Sequence, residues 1–163
     1  MKAHAIKEVD ISSECGGIIE LIRAAFADVA EQFCINRSNS PNYIAFITED
    51  RLKEQLDRDG AYSFGIEEDG RWVGFVALVP DGGEYEISRL SVAPEYRHRG
   101  YGKLLMEHAE NKAKKLGYRS VFLGIINENE RLKRWYESLG FVAGKPFKPE
   151  GHVFSVCEMT KRF

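Results

Sequence analysis

The sequence predicts one mixed α/β domain, of the α+β type, and three observations carry that expectation. Three consecutive alternating segments between Tyr62 and Val92 are joined by tight turns, the pattern of an antiparallel meander. Apolar residues recur at helical spacing on both sides of that block. The chain has 163 residues, 44% apolar and 29% charged, which suits a single domain spanning residues 1–163 and is too little for two full ones. A chain of this length buries roughly 70% of its unfolded surface, so its core needs neither disulfide nor structural metal.

Taken in order, Ala3 to Val9 alternates weakly and reads as a first strand. From Ile18, the residues Ile22, Ala25, Phe26, Val29 and Phe33 return at steps of three and four, marking a helix that starts near Ser12 or Ser13. Asn36 to Asn42 is polar and contains Pro41, a loop, after which Thr48 caps a second helix carrying Leu52 and Leu56. Tyr62, Phe64 and Ile66 alternate, Asp69-Gly70 turns the chain, and Trp72 to Val79 returns as an apolar strand. Pro80 to Gly83 then turns into a strand from Glu84 to Val92. Leu104, Leu105, His108, Ala109, Lys112, Ala113 and Leu116 trace a helix closed by Gly117. Val121 to Ile126 is a strand. Leu132, Trp135, Tyr136 and Leu139 mark a helix ended by Gly140, Phe141 starts an extended segment, and His152 to Met159 is the last strand.

Composition narrows the function. Twenty-three Lys and Arg against 25 Asp and Glu give a net charge of −2, without the global basic field of a nonspecific nucleic-acid binder, so any anion site is local. Cys15, Cys34 and Cys157 are odd in number and lack zinc spacing, as expected of reduced thiols in a cytoplasmic protein. Lys2, His4, Lys7 and Glu8 break any signal-peptide core, and no apolar run approaches the ~20 residues of a membrane span.

The stretch from Leu90 to Lys103, LSVAPEYRHRGYGK, runs a strand through a short loop straight into a helix. Free N–H groups and the positive end of a helix dipole favour an anion there. Gly100 and Gly102 let a phosphate approach the backbone, and Arg97, Arg99 and Lys103 add cations. An ordinary loop of solvated arginines is the plain alternative. A dinucleotide fingerprint needs a third glycine where Leu105 stands. A P-loop needs glycine at Arg97 and Ser or Thr at Leu104, so neither motif is present.

The segment RHRGYG, Arg97 to Gly102, matches Q/R-x-x-G-x-G/A, and NERLKRWYESLGF follows from Asn129 to Phe141. With both motifs the chain resembles the GNAT superfamily of acetyl-CoA-dependent N-acetyltransferases. The resemblance implies a mostly antiparallel sheet of six to seven strands, flanked by about four helices and splayed at the fourth strand, with coenzyme A in the cleft. It implies that the backbone of Leu90, Ser91 and Val92 receives the acetyl and pantetheine groups. It also implies that Arg97, His98, Arg99, Gly100, Tyr101, Gly102 and Lys103 cradle the pyrophosphate, and that Asn129 hydrogen-bonds the cofactor arm. Tyr136 matches a tyrosine that protonates the departing thiolate, although its place on an apolar stripe equally suits a core aromatic.

A lysine-like acceptor amine, pKa ~10.4, is only about one part in 2,500 neutral at pH 7, a cost of ~4.6 kcal/mol that a base must relieve. Glu84 and Glu86 share one face of the fourth strand by alternation. Glu86 falls where histone-type members keep a catalytic glutamate, and an ion pair with Arg89 or its neighbours is the structural alternative. Cys157 as an acetyl relay, and His98, His108 and His152 as ligands, all default to packing or surface roles. Lys112, Lys114 and Lys115 read as a solvated helix face.

The expected activity is transfer of acetyl from acetyl-CoA directly to a primary amine of a small molecule or protein, with Glu86 and Tyr136 catalytic and no metal. The alternative is a non-catalytic acyl-CoA-binding or sensing domain. Expected partners are acetyl-CoA and an amine acceptor, with no membrane, nucleic acid disfavoured, and a homodimer left open. Asp81, Glu84 and Glu86 lean toward a cationic acceptor.

Overall fold

The computed structural model describes residues 4–163. Seven strands, β1 (Ile6–Glu8), β2 (Tyr62–Glu68), β3 (Arg71–Asp81), β4 (Glu84–Val92), β5 (Ser120–Ile126), β6 (Val142–Ala143) and β7 (Val156–Arg162), form one sheet in the order β1-β2-β3-β4-β5-β7-β6. Four helices flank it: α1 (Ile11–Gln32), α2 (Glu49–Leu56), α3 (Tyr101–Lys115) and α4 (Glu130–Ser138). Every pairing is antiparallel except β4 with β5.

The sheet has two covered faces, and the register says which residues look where. Gly65 and Gly74 sit on opposite parities of the β2–β3 ladder. A Cβ on Gly74 would meet Leu105 of α3, while Trp72 fills the space over Gly65 and also packs against Gly17 of α1. The face with Phe64, Ile66, Gly74 and Val76 therefore carries α3, with His108 stacked edge-on to Phe64 at 4.5 Å. The other face, with Gly65, Phe75 and Ala77, carries α1. Phe75, Ile18, Ile22, Leu52, Ile66, Leu78, Leu105 and Met106 are fully enclosed at the centre.

Several expected boundaries move, each for a local reason. Helix α1 begins earlier than Ser12 or Ser13, because Asp10 is the cap: its carboxylate accepts from Ser12 N at 3.0 Å while Glu14 accepts from Asp10 N. Thr48 caps α2 as expected. Pro80 and Asp81 stay in β3, and Gly82-Gly83, both at positive φ, make the turn alone. The first strand shrinks to three residues, Ala3 lying outside the described residues. The last strand starts at Val156 rather than His152 and runs to Arg162, because residues 152–155 bend to place Phe154 in a small second core with Ala30, Ile35, Tyr43, Ala45 and Ile126. No helix among the described residues is long and apolar enough to cross a membrane.

Candidate active site

Strand β4 is regular only in its first half. The β3–β4 ladder shifts between Ala77↔Ser88 and Phe75↔Ser91, leaving one extra residue in β4. Arg89 sits there with φ +56, a conformation that a residue bearing Cβ rarely adopts. Toward β5 the pairing is shorter still, a single parallel match of Glu86 with Phe122. Beyond it the two strands part, and Leu90, Ser91 and Val92 border the opening. An extended ligand arm can add its own hydrogen bonds at such a backbone edge.

The chain leaves β4 through a short turn, Pro94–Tyr96, and enters α3 at Gly100. Gly100 takes φ +85 at the cap position and supplies no side-chain cap. The next amide hydrogen bond after Arg97 N is that of Leu104 N, to Gly100 O. The N–H groups of His98, Arg99, Gly100, Tyr101, Gly102 and Lys103 therefore have no partner among the described residues. Six consecutive free donors at a helix N-terminus make a strong anion cradle.

The side chains of this loop do less than the sequence suggests. The Arg97 guanidinium turns away to α1, bonding Asp28 through Nη1 and the Ala25 carbonyl through Nη2 at 2.9 Å. That guanidinium holds the Asp28 carboxyl below its usual range. Tyr101 points into the protein, its hydroxyl donating to Glu68, which also meets His4 at 3.0 Å. Arg99 lies over the Tyr96 ring at 4.8 Å, His98 is exposed, and Lys103 reaches only Glu107 among the described residues. Backbone, rather than arginine side chains, dominates the cradle.

Asn129 is buried and caps α4, its Oδ1 accepting from Leu132 N at 3.2 Å. Its Nδ2 donates to nothing among the described residues. Tyr136 is buried between Trp135 and Phe141, with centroids at 4.9 and 5.8 Å, and its hydroxyl has no hydrogen-bond partner among the described residues. Burial alone pushes its phenol far above the ordinary value, so it keeps its proton at neutral pH. Glu84, Glu86 and Ser88 share the α1 face of β4, opposite Asp81, Val79 and Ala77. Glu86 is half-buried, and desolvation raises its carboxyl above the ordinary value while Arg89 opposes the shift. No cation lies within ion-pair distance of it among the described residues, so the simple Glu86–Arg89 ion pair is absent.

The remaining candidates take structural parts. Cys157 is buried, its thiol donating to the carbonyls of Gly144 and Glu158. His152 leans on Phe154, and burial lowers the His108 pKa. Lys112 and Lys114 lie over the rings of Tyr62 and Phe163 rather than standing free. No metal-binding group of His, Cys, Asp or Glu occurs among the described residues. Sequence reasoning missed the clamp on Arg97 and the part of Arg89. The bulge did leave a signal: apolar parity runs Tyr85, Ile87 and then slips to Leu90, Val92 across Arg89.

The site thus lies where a mostly antiparallel sheet parts at a bulged fourth strand that leads into the glycine-capped start of α3. Residues 24–141 match the Acetyltransferase (GNAT) family, and the chain belongs to it. It is 29% identical over 149 residues to an uncharacterized N-acetyltransferase of Lactobacillus delbrueckii subsp. lactis, covering 83% of each chain. It is 32% identical over 131 residues to the amino-acid acetyltransferase of Azotobacter vinelandii, covering 78% of this chain but only 25% of that longer protein. The PaiA N-acetyltransferase of Thermoplasma acidophilum, solved with coenzyme A, shares the fold at a TM-score of 0.70, 22% identity and 99% coverage of both chains.

Proposed function

We propose that this acyltransferase is an N-acetyltransferase that moves acetyl from acetyl-CoA directly to a primary amine of a small molecule or protein. The observation that carries the reading is the run of free amides from His98 to Lys103 beside the parting of β4 and β5. Family membership and the coenzyme A complex of a structural neighbour support it.

The pyrophosphate is held by the amides of residues 98–103, and the pantetheine arm runs along Leu90, Ser91 and Val92 with the free Nδ2 of Asn129 as a donor to it. Acetyl-CoA supplies an activated acyl carbon whose leaving group is a thiolate. Amides at the β4 edge favour the negative charge that develops on the thioester oxygen as the amine attacks. Glu86 takes a proton from the acceptor ammonium, directly or through water, and its raised pKa makes it the better base. Tyr136 gives its hydroxyl proton to the departing thiolate and recovers one from the attacking nitrogen as the tetrahedral adduct collapses, a transfer that works against the weaker acidity burial gives the phenol.

Calorimetry with coenzyme A and thiol release from acetyl-CoA across an amine panel test the reading together. Binding with amine-dependent thiol release is the expected result. Binding without turnover on any amine returns the protein to a non-catalytic acyl-CoA-binding role.

A further inference from the structure

We propose that Arg89 holds an anionic group of the acceptor, so that the acceptor is a zwitterion, an amine with a carboxylate a few bonds away, rather than a polycation. This rests on the N-acetyltransferase reading and adds the substrate class to it.

Arg89 is in the wrong chemistry for a purely structural residue. It occupies the strained bulge position of β4, and its half-buried guanidinium reaches across to α2. Two of its N–H groups are used. Nη1 donates to Ser88 Oγ at 2.7 Å and Nη2 to Gln55 Oε1, both uncharged acceptors. Nε is enclosed and has no partner among the described residues, and no carboxylate there lies within ion-pair distance of the group. An arginine has five donors in a fixed fork, and a charge withdrawn from water without a counter-ion is destabilising. An apolar residue of similar volume would pack there at lower cost.

The position of that charge supplies the reason to keep it. Ser88, which Arg89 bonds, shares the α1 face of β4 with Glu86. Glu86 and Arg89 stand three residues apart on β4 without pairing, and each favours the other's charged form. Glu86 also marks the point where β4 and β5 part. β4 thus carries a carboxylate where it leaves β5 and, three residues on, a guanidinium, complementary in charge to an ammonium and a carboxylate on one small molecule. Arg58 and Arg51 extend the positive field on the Arg89 side, and Asp81 and Glu158 the negative field around Glu86. The acidic residues alone lean toward a polyamine or aminoglycoside, but a second ammonium on such a molecule would meet this guanidinium and be repelled. Nη1 and Nη2 each keep one donor unused among the described residues, and a carboxylate can accept two parallel hydrogen bonds from such a pair.

The test measures thiol release from acetyl-CoA by the full chain with the common α-amino acids, their α-carboxamides and the corresponding decarboxylated amines. The acid is expected to exceed its carboxamide in kcat/KM by about thirtyfold for the preferred side chain. Arg89→Gln should raise KM for the acid by a similar factor and leave the carboxamide within about threefold. Arg89→Lys, keeping charge but not the fork, should recover part of the loss. Carboxamides or plain amines used as well as acids by the unaltered protein would overturn the inference, and that comparison needs no variant to fold. Equal kcat losses on acid and carboxamide in Arg89→Gln would also overturn it, placing Arg89 at the thioester. Acetylation of amines but of no acid defeats only this inference. Coenzyme A binding with no amine acetylated defeats the N-acetyltransferase reading itself.

Discussion

Gly102, in the first turn of α3, lies under the indole of Trp135 from α4: a Cβ built on Gly102 would stand 3.4 Å from Cη2 and 3.5 Å from Cζ2 of that ring. The missing side chain lets the free amides stay open on one side while the indole closes the other. Gly102→Ala fits with a small give in the ring and gains up to about 1 kcal/mol of helix propensity, so its melting temperature should hold or rise. Gly102→Asp adds a carboxylate among the amides and should abolish coenzyme A binding while the protein stays folded. Calorimetry on both variants checks this, and unchanged affinity in a folded Gly102→Asp protein would reject the cradle.

Arg97 and Asp28 separate a positioning role from a direct one. If the guanidinium fixes the loop through α1, Asp28→Asn and Arg97→Ala should weaken coenzyme A binding by similar factors, and the double variant should be no worse than either. If Arg97 instead swings to the phosphates, Asp28→Asn should leave affinity unchanged or improve it. The pair also sets an acid limb. Asp28 titrates below its ordinary value of 3.8, so its contribution is present above that pH and is lost as pH falls through the lowered value. Asp28 is half-exposed, and the loss in Asp28→Asn should stay under ~1 kcal/mol by urea denaturation at pH 7.

Tyr136→Phe removes a hydroxyl that bonds no group among the described residues and keeps both aromatic contacts. Stability and coenzyme A affinity should therefore be unchanged, while turnover falls by roughly 10²-fold. Steady-state rates with one good acceptor decide between acid and core aromatic, and a rate within about threefold of the unaltered protein leaves only packing.

The elements that sequence made legible are those with a local signature. Asp69-Gly70 sets one hairpin, Leu132, Trp135, Tyr136 and Leu139 show one helical face, and the glycines of RHRGYG mark the entry to α3. What stayed hidden depends on distant partners. Nothing near Arg97 in sequence says that Asp28 will claim it, 69 residues away. The bend at residues 152–155 follows from a pocket that Tyr43 and Phe154 fill together, 5.6 Å between centroids, and alternation alone reads that segment as strand. The parity slip from Ile87 to Leu90 was visible, but it acquires meaning only when β3 shows which face each residue takes.

Glu86 allows a prediction in which stability and catalysis move in opposite directions. Burial raises its folded-state pKa above the ordinary carboxylate value of 4.5, so ionised Glu86 is less comfortable in the fold than in the unfolded chain. Its contribution to stability is complete below about 4.5 and is lost as pH rises through the raised value. Glu86→Gln keeps volume and hydrogen bonding without that charge. Its melting temperature should match the unaltered protein near pH 4 and exceed it at pH 7, with the gap growing only between the two pKa values. Catalysis should show the reverse. Without the base, kcat/KM should fall most near neutral pH, where the acceptor ammonium must lose its proton, and the deficit should shrink as alkaline buffer deprotonates the amine directly. Melting curves and pH–rate profiles on one acceptor of known pKa, with coenzyme A affinity measured separately, check both limbs. A variant that is more stable at pH 7 yet runs parallel to the unaltered enzyme from pH 6 to 10 would leave Glu86 as a buried carboxylate only and move proton removal to Glu84 or to water.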